Sequence, residues 1–287
     1  NAEDNLRACT ALSHHLANKG KCREAMEWYR KAEKSFQKVG KTKEITKEFK
    51  DQWTQMSWNI SINLLRGGDM ENGWRLYDYG LQVPADGRQK WQRSLRKPYS
   101  FKEVPILDDL TKARDGVSLL VIGEQGVGDS MMFARVAEVL TQRIKAKVTL
   151  ALDKRLVPIY SRSSNAEAVM SVDTLVKNAA EFRFDYQIPV GSLCKLVDPY
   201  QNRASIKSVK LYSDPSKTSD MRDKYKSRGA KKPIIGISWQ GGGRPDRVNI
   251  KSIKLSAIMQ YFQKNISGVT WLSLQYGDDG PHLKTLK

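Results

Sequence analysis

One stretch constrains the fold of this chain more than any other: Val117–Val139, VSLLVIGEQGVGDSMMFARVAEV. It opens with a continuous apolar run, Val117–Ile122, of the kind a parallel strand covered on both faces requires. A glycine-rich turn follows over Gly123–Gly128, carrying Glu124 and Gln125, and Asp129 comes directly after it. From there Met132, Phe133, Val136, Ala137 and Leu140 recur at helical spacing. The glycines permit a tight turn and close approach of a ligand to the backbone. The N-terminus of the following helix offers unpaired N–H groups to an anion.

The residues beyond this stretch keep the same alternation. AKVTLALD, Ala146–Asp153, reads as a strand, and DKRLVPIYSRS after it carries the apolar Leu156, Val157, Ile159 and Tyr160. FDYQIPVGSL, Phe184–Leu193, holds another strand and a turn. Residues 200–232 are polar and lysine-rich, as expected of an interdomain crossing. A strand over Ile234–Trp239 then runs into Gly241–Gly243, followed by a helical stretch, Leu255–Gln263, and a strand, Val269–Gln275. Strands alternating with helices indicate parallel sheets. Two separate strand-to-glycine turns predict two Rossmann-like lobes facing one another, with ligands at the carboxyl ends of the strands.

Upstream, the pattern is helical. Residues 5–37 read as two antiparallel helices: Leu6, Ala8, Leu12, Leu16 and Ala17 line the first, Gly20 breaks it, and Ala25, Tyr29, Ala32 and Phe36 line the second. The spacing G-x4-A-x3-Y-x2-A resembles the second half of a tetratricopeptide (TPR) repeat, where small alanines let paired helices pack closely. A related pattern returns in LLRGGDMENGWRLY, Leu64–Tyr77: Gly68 precedes Gly73 as Gly20 precedes Ala25, and Tyr77 matches Tyr29. The offset between Tyr29 and Tyr77 is 48 residues, against a usual repeat of about 34, so the helix over 42–66 must be long. Two repeats rarely make a stable solenoid. The arm is therefore expected to pack on the α/β body or to end a longer array. Its helices either bind a peptide or protein partner or serve as scaffold.

Residues 82–110 form a connector with Pro84, Pro98, Pro105, several arginines and the aromatics Trp91, Tyr99 and Phe101. Basic residues interleaved with aromatics suit single-stranded nucleic acid. A linker wrapping the α/β body with its aromatics buried explains the same residues better, and a nucleic-acid partner is not expected. The domain plan is thus a TPR-like arm (1–82), a connector (83–112), a first Rossmann-like lobe (113–215) and the start of a second (230–287).

The net charge of +18 divides as +6 over residues 1–115 and +12 over 116–287. A basic α/β half favours anionic partners such as nucleotides or phosphosugars, although a solvated lysine-rich surface gives the same sum. Cys9, Cys22 and Cys194 show no CxxC pairing, and His14, His15 and His282 no metal-ligand spacing. The expectation is free thiols in the cytoplasm and no metal site. No apolar run of about 18 residues predicts a membrane span. The opening NAEDNLRA is polar and acidic, unlike a signal peptide.

GEQGVGD spells G-x-x-G-x-G rather than the dinucleotide fingerprint G-x-G-x-x-G. Asp153 nevertheless ends the next strand, where a ribose-binding acid would lie, so an NAD(P)-dependent oxidoreductase stands as a rival reading. The phosphate-binding GxxxxGK[ST] loop is absent. Two roles fit Asp129: a cap that accepts helix N–H bonds, or a general base that takes a proton from an acceptor hydroxyl. The second glycine turn is flanked by Arg244, Arg247, Lys251 and Lys254. Free amides beside positive side chains suit a diphosphate; a solvated basic loop is the alternative.

Taken together, GDMENGWRLYDYG, WQRSLRKP, LLVIGEQGVGDSMMFARV, FDYQIPVGSL, GISWQGGG and SLQYGDD resemble bacterial TPR-containing glycosyltransferase-like proteins. In these a TPR arm joins a GT-B-type body related to ADP-heptose heptosyltransferases and distantly to O-linked N-acetylglucosamine transferases. The resemblance covers nearly all of residues 60–280. It implies a metal-independent glycosyltransferase with a nucleotide sugar as substrate and no further cofactor. Asp129 matches the family's aspartate proposed as general base, with Glu124, Gln125, Gly126 and Gly128 forming the acceptor-lobe turn. Trp239, Gly241, Gly242 and Gly243 match the first strand and turn of the donor lobe, and Lys251, followed by Ser252, the basic position proposed to hold the donor diphosphate. The family's donor lobe continues to a D-x-x-x-x-H-type segment, so residues 230–287 are expected to supply only its beginning. The alternative is an adaptor of the same architecture that has lost catalysis and binds a protein or glycan.

Overall fold

The computed structural model describes residues 2–42, 46–82, 93, 104–198, 210–230, 233–241, 248, 251–277 and 283. They fall into two compact units, Asn1–Tyr212 and Ser213–Lys287.

The first unit is built around a parallel sheet of four strands: β1 (Ser118–Ile122), β2 (Lys147–Leu152), β3 (Ala168–Ser171) and β4 (Tyr186–Pro189), in the order β3-β2-β1-β4. Central β1 pairs Leu120 with Thr149 on one side and with Gln187 on the other. Alternate side chains of a strand point to opposite faces, and both faces of β1 are covered. Leu119 and Val121 join Val148, Leu150 and Ile188 in one core, under α5 (Val127–Ala134) and α6 (Ala137–Arg143). Leu120 and Ile122 join Ala151 and Leu175 in another, with α8 (Val172–Lys177). That two-sided burial is why Leu119–Ile122 reads as an unbroken apolar run; each such side chain contributes about 1.5–3 kcal/mol.

The helix expected after the turn is two, parted at Arg135 and Val136, where Val136 N–H bonds the Phe133 carbonyl at 2.9 Å. Two short helices, α7 (Val157–Ser163) and α9 (Leu193–Leu196), follow β2 and β4. The edge strand β3 was not expected from sequence; its apolar run is only three residues, Ala168–Met170, and all four of its residues are only half-buried. Residues 104–107 lie along β4: Gln187, fully buried, donates through Nε2 to the Val104 carbonyl at 2.7 Å. Its backbone exchanges bonds with Pro105 and Leu107.

The helical arm comprises α1 (Ala2–Asn18), α2 (Cys22–Thr42), α3 (Lys47–Arg66) and α4 (Met70–Tyr77). Gly20 and Gly68 end α1 and α3 at φ +74° and +87°, a conformation glycine adopts without steric cost. Thr46 caps α3 through Phe49 N–H, and Asp69 caps α4 through Asn72 N–H. Ala25 and Ala32 are wholly buried, as the close-packing reading requires. Tyr29 stacks on Trp53, ring centres 5.2 Å apart, while its hydroxyl meets Ser57 Oγ at 2.8 Å. A Cβ built on Gly73, the counterpart of Ala25, would lie 2.6 Å from Leu65 Cδ2, so this crossing is closer still.

The arm packs on the α/β body through α4. Tyr77 belongs to the α5–α6 side of the core, with Trp58, Ile62, Leu65 and Trp74 against it. Trp74 meets Phe133 edge-on at 5.8 Å. One side of α3 and α4 thus joins the core of the sheet, while Leu6, Met26, Tyr29, Trp53 and Leu64 form a separate core within the arm.

The second unit holds α10 (Pro215–Ser227), β5 (Ile234–Ile237), α11 (Leu255–Asn265) and β6 (Thr270–Ser273). β5 and β6 are parallel, and Trp239, Leu255 and Met259 are its buried centre. Helix α10 falls where only a polar crossing was expected. Asp214 caps it and Pro215 starts it, but none of its residues is buried, so no apolar stripe announces it.

Candidate functional site

The turn after β1 places Gly126 as the cap of α5, with Gly128 and Asp129 already in the helix. Asp129 Oδ2 accepts from Gly126 N–H at 3.2 Å. The carboxylate therefore caps its own helix. It also forms part of the wall of an apolar groove of about 530 Å³, with Ile62, Leu65, Trp74, Met132 and Phe133. Capping and facing a ligand are compatible, since the cap bond uses one carboxylate oxygen, Oδ2.

Glu124 and Gln125 turn the other way, into the crevice between the carboxyl ends of β1 and β4. The chain order reverses there, which makes it the usual ligand crevice of such a sheet. In this protein a side chain of the connector fills it. Arg93 is completely buried. Its Nε donates to Glu124 Oε1 at 2.9 Å, Nη1 to Asp78 Oδ1 at 2.9 Å and to the Tyr77 carbonyl at 3.2 Å, and Nη2 to Ser192 Oγ at 2.7 Å. The guanidinium also lies over the Tyr77 ring, 4.6 Å from its centre.

Glu124 is as deeply buried as Arg93. Its Oε1 also accepts from Gln125 Nε2 and Gly191 N–H, whereas Oε2 is buried with no hydrogen-bond partner among the described residues. Tyr77 donates its hydroxyl to Gln125 Oε1 at 3.0 Å. Gly191 must be glycine: a Cβ there would lie 2.5 Å from Gln125 Nε2 and 2.9 Å from Tyr77 Cε1.

The charges are matched accordingly. Burial pushes the Asp78 carboxyl up, but Arg93, Ser192 and Lys195 more than offset it, and the group sits below the ordinary carboxylate range. Burial raises the Tyr77 hydroxyl to about 12, against the opposing pull of Arg93. Burial likewise raises the Cys194 thiol to about 12.

Sequence reasoning missed Arg93. A single arginine in a connector has no periodicity to expose it; the pointers were the reading of a linker wrapped on the α/β body and the segment WQRSLRKP, which contains Arg93 but was given no role. The other connector residues singled out, Pro84, Trp91, Pro98, Tyr99 and Phe101, lie outside the described residues.

Beside the turn, Gly123, Asp153, Lys154 and Asp173 line a polar cavity of about 260 Å³ at the ends of β1, β2 and β3. Asp153, the possible ribose acid of the oxidoreductase reading, is clasped by its neighbour: Arg155 Nε and Nη2 reach its two oxygens at 2.9 and 3.0 Å. Those bonds hold its pKa down to about 2.

In the second unit, the structure joins Gly241, Lys251 and Ser252. Gly241 N–H donates to Ser252 Oγ at 3.1 Å. A Cβ on Gly241 would lie 2.7 Å from Lys251 Cβ, and Lys251 is exposed. Trp239 is buried in the unit's core, its carbonyl accepting from Ile253 N–H at 2.9 Å. Gln275 is the residue not anticipated. Its Oε1 collects Ser238 Oγ, Trp239 N–H and Gln240 N–H at 3.2, 3.2 and 2.9 Å, and its Nε2 donates to the Gln240 carbonyl. The amides of Trp239, Gln240 and Gly241 are thus all engaged. Gly242, Gly243, Arg244 and Arg247 lie outside the described residues.

Among the described residues, no group of three or more His, Cys, Asp or Glu is placed to hold a metal ion, and no helix is long and apolar enough to cross a membrane. Fold and site together define a mixed protein: a helical arm bonded to a parallel α/β sheet, with a second parallel unit. No family model matches the chain, and no solved structure matches it. It is similar to Protein FlbA of Caulobacter vibrioides, at 25% identity over 236 residues, covering 75% of this chain and 36% of FlbA. The chain thus spans about a third of the length of that relative.

Proposed function

We propose that this chain is the arm and transfer region of a cytoplasmic glycosyltransferase of the TPR-containing, GT-B type, using a nucleotide sugar. The observation that carries the reading is Asp129. Its carboxylate is fixed by the turn amide of Gly126 and stands in the wall of the groove between arm and body. There it takes the proton of an acceptor hydroxyl as that oxygen attacks the anomeric carbon. The bond from that carbon to the diphosphate breaks, and the nucleoside diphosphate leaves. Within the second unit, exposed Lys251 beside Gly241 supplies a positive charge suited to a diphosphate. The arm's remaining surface is available to a peptide or protein partner.

One observation favours the second reading, an adaptor without catalysis. The amides of Trp239, Gln240 and Gly241, which a diphosphate would use, are internally bonded. Calorimetric titration of the full chain with UDP-, GDP- and ADP-sugars separates the two. Saturable binding of one donor that Lys251→Ala weakens supports the transferase. Absence of binding to all three supports the adaptor.

A further inference from the structure

We propose that Arg93 is a positioning residue for Asp129, acting through Glu124, so that the arm and connector hold the transfer site in register. The inference rests on the transferase reading for the role of Asp129, and on geometry alone for the grip on the turn.

The path is short. Two groups from outside the sheet seize two consecutive residues of the turn: Arg93 Nε holds Glu124 at 2.9 Å, and the Tyr77 hydroxyl holds Gln125 at 3.0 Å. The next residue, Gly126, presents its N–H to Asp129 Oδ2 at 3.2 Å. Arg93 is itself held from three sides. Asp78 fixes it from the end of α4, Ser192 from the turn after β4, and the Tyr77 ring from above. Ser192 Oγ also donates to Asp78 Oδ1 at 2.6 Å, and Lys195 Nζ lies 3.3 Å from Asp78 Oδ2.

A glycine-rich turn has little stiffness of its own. Its conformation here is set by buried, charge-assisted bonds to a planar, five-donor fork, whose geometry lysine does not reproduce. Ligand chemistry does not explain the arrangement, because the guanidinium occupies the crevice. Simple stabilisation does not require the same group to reach the residue next to Gln125, which Tyr77 already holds. Both bonds together tie down the two residues that precede the amide holding Asp129. A displacement of about 1 Å at a reacting group can cost about a hundredfold in rate.

The test compares Arg93→Lys and Tyr77→Phe with the unaltered full chain, by two readouts. Tyr77→Phe keeps the ring and its packing, so it preserves the fold if Arg93→Lys does not. The first readout is amide hydrogen exchange. The expected result is faster exchange at Gly126 in both variants, by about tenfold for a lost hydrogen bond, with the β1–β2 ladder unchanged. Unchanged exchange at Gly126, or an equal rise across the ladder, overturns the proposal. The second readout is transfer from the donor found by titration: kcat falls about 10- to 100-fold while donor KM holds. A loosened turn with kcat intact also overturns it. If the unaltered chain transfers no sugar, the transferase reading fails, and the exchange experiment still decides whether Arg93 grips the turn.

Discussion

Arg93→Met removes the cation at the centre of the junction while keeping most of the side chain's length, and its cost can be worked from the site. Arg93 donates bonds to two carboxylates, one carbonyl and one hydroxyl, from a side chain with no exposure. Asp78 is 27% exposed and keeps Lys195 and Ser192, so it adapts. The Glu124 side chain is wholly buried and loses the cation that pairs with it. Breaking a buried pair from one side costs about 3–5 kcal/mol, and we expect the substitution to fall in that range.

Neutralising the stranded carboxylate by adding Glu124→Gln should recover part of the loss, a coupling of about 1–3 kcal/mol. Cys194 provides the assay. Its thiol is 3% exposed and lies in the wall of the groove at this junction. With Cys9 and Cys22 replaced by alanine, thiol labelling reports opening of the junction. At about 1.4 kcal/mol per tenfold, Arg93→Met should speed labelling on the order of 100- to 1,000-fold. An increase under tenfold, or strict additivity with Glu124→Gln, refutes the reasoning.

Three further outcomes are expected. Gly191→Ala forces a methyl to within 2.5 Å of Gln125 Nε2 and should destabilise the first unit by about 1–3 kcal/mol; an unchanged denaturation midpoint removes the close-approach argument. The lowered Asp78 pKa means that its contribution to stability is complete above its unfolded value of about 4 and is lost as pH falls through the lower folded value. The urea midpoint should therefore drop in acid below about pH 4, and less so in Asp78→Asn, which lacks that titration; parallel acid profiles count against it. Gln275→Ala removes the acceptor shared by Trp239 and Gln240 N–H and should raise their exchange about tenfold, whereas unaltered protection shows that the turn does not depend on Gln275.

What the sequence made legible was whatever repeats along the chain. β1 announced itself because both its faces are covered, so its four buried positions, Leu119–Ile122, are all apolar. The arm was legible because Ala25, Tyr29 and Ala32 recur with helical period on one buried side, and because Gly20 and Gly68 stand at positive φ where the chain must turn. What stayed hidden depends on residues distant in sequence. Arg93 meets Ser192 and Gln275 meets Gln240 across separations of 99 and 35 residues, and neither leaves a local pattern. β3 and α10 escaped for a different reason: the apolar run of β3 is only three residues long, and α10 buries none of its residues, so it carries no apolar stripe by which a helix is recognised. Asp129 illustrates the middle case. Its type and place were readable, and two roles fitted; the structure gives the cap bond and also sets the residue on the groove.

The central claim, that Asp129 is the base of a sugar transfer, is tested most directly by single-turnover transfer from a nucleotide sugar with the unaltered chain and with Asp129→Asn. Asparagine keeps an oxygen for the Gly126 cap but takes no proton at neutral pH, so the account predicts intact donor binding and a transfer rate lower by about 10²- to 10⁴-fold. A rate equal to that of the unaltered chain would contradict it.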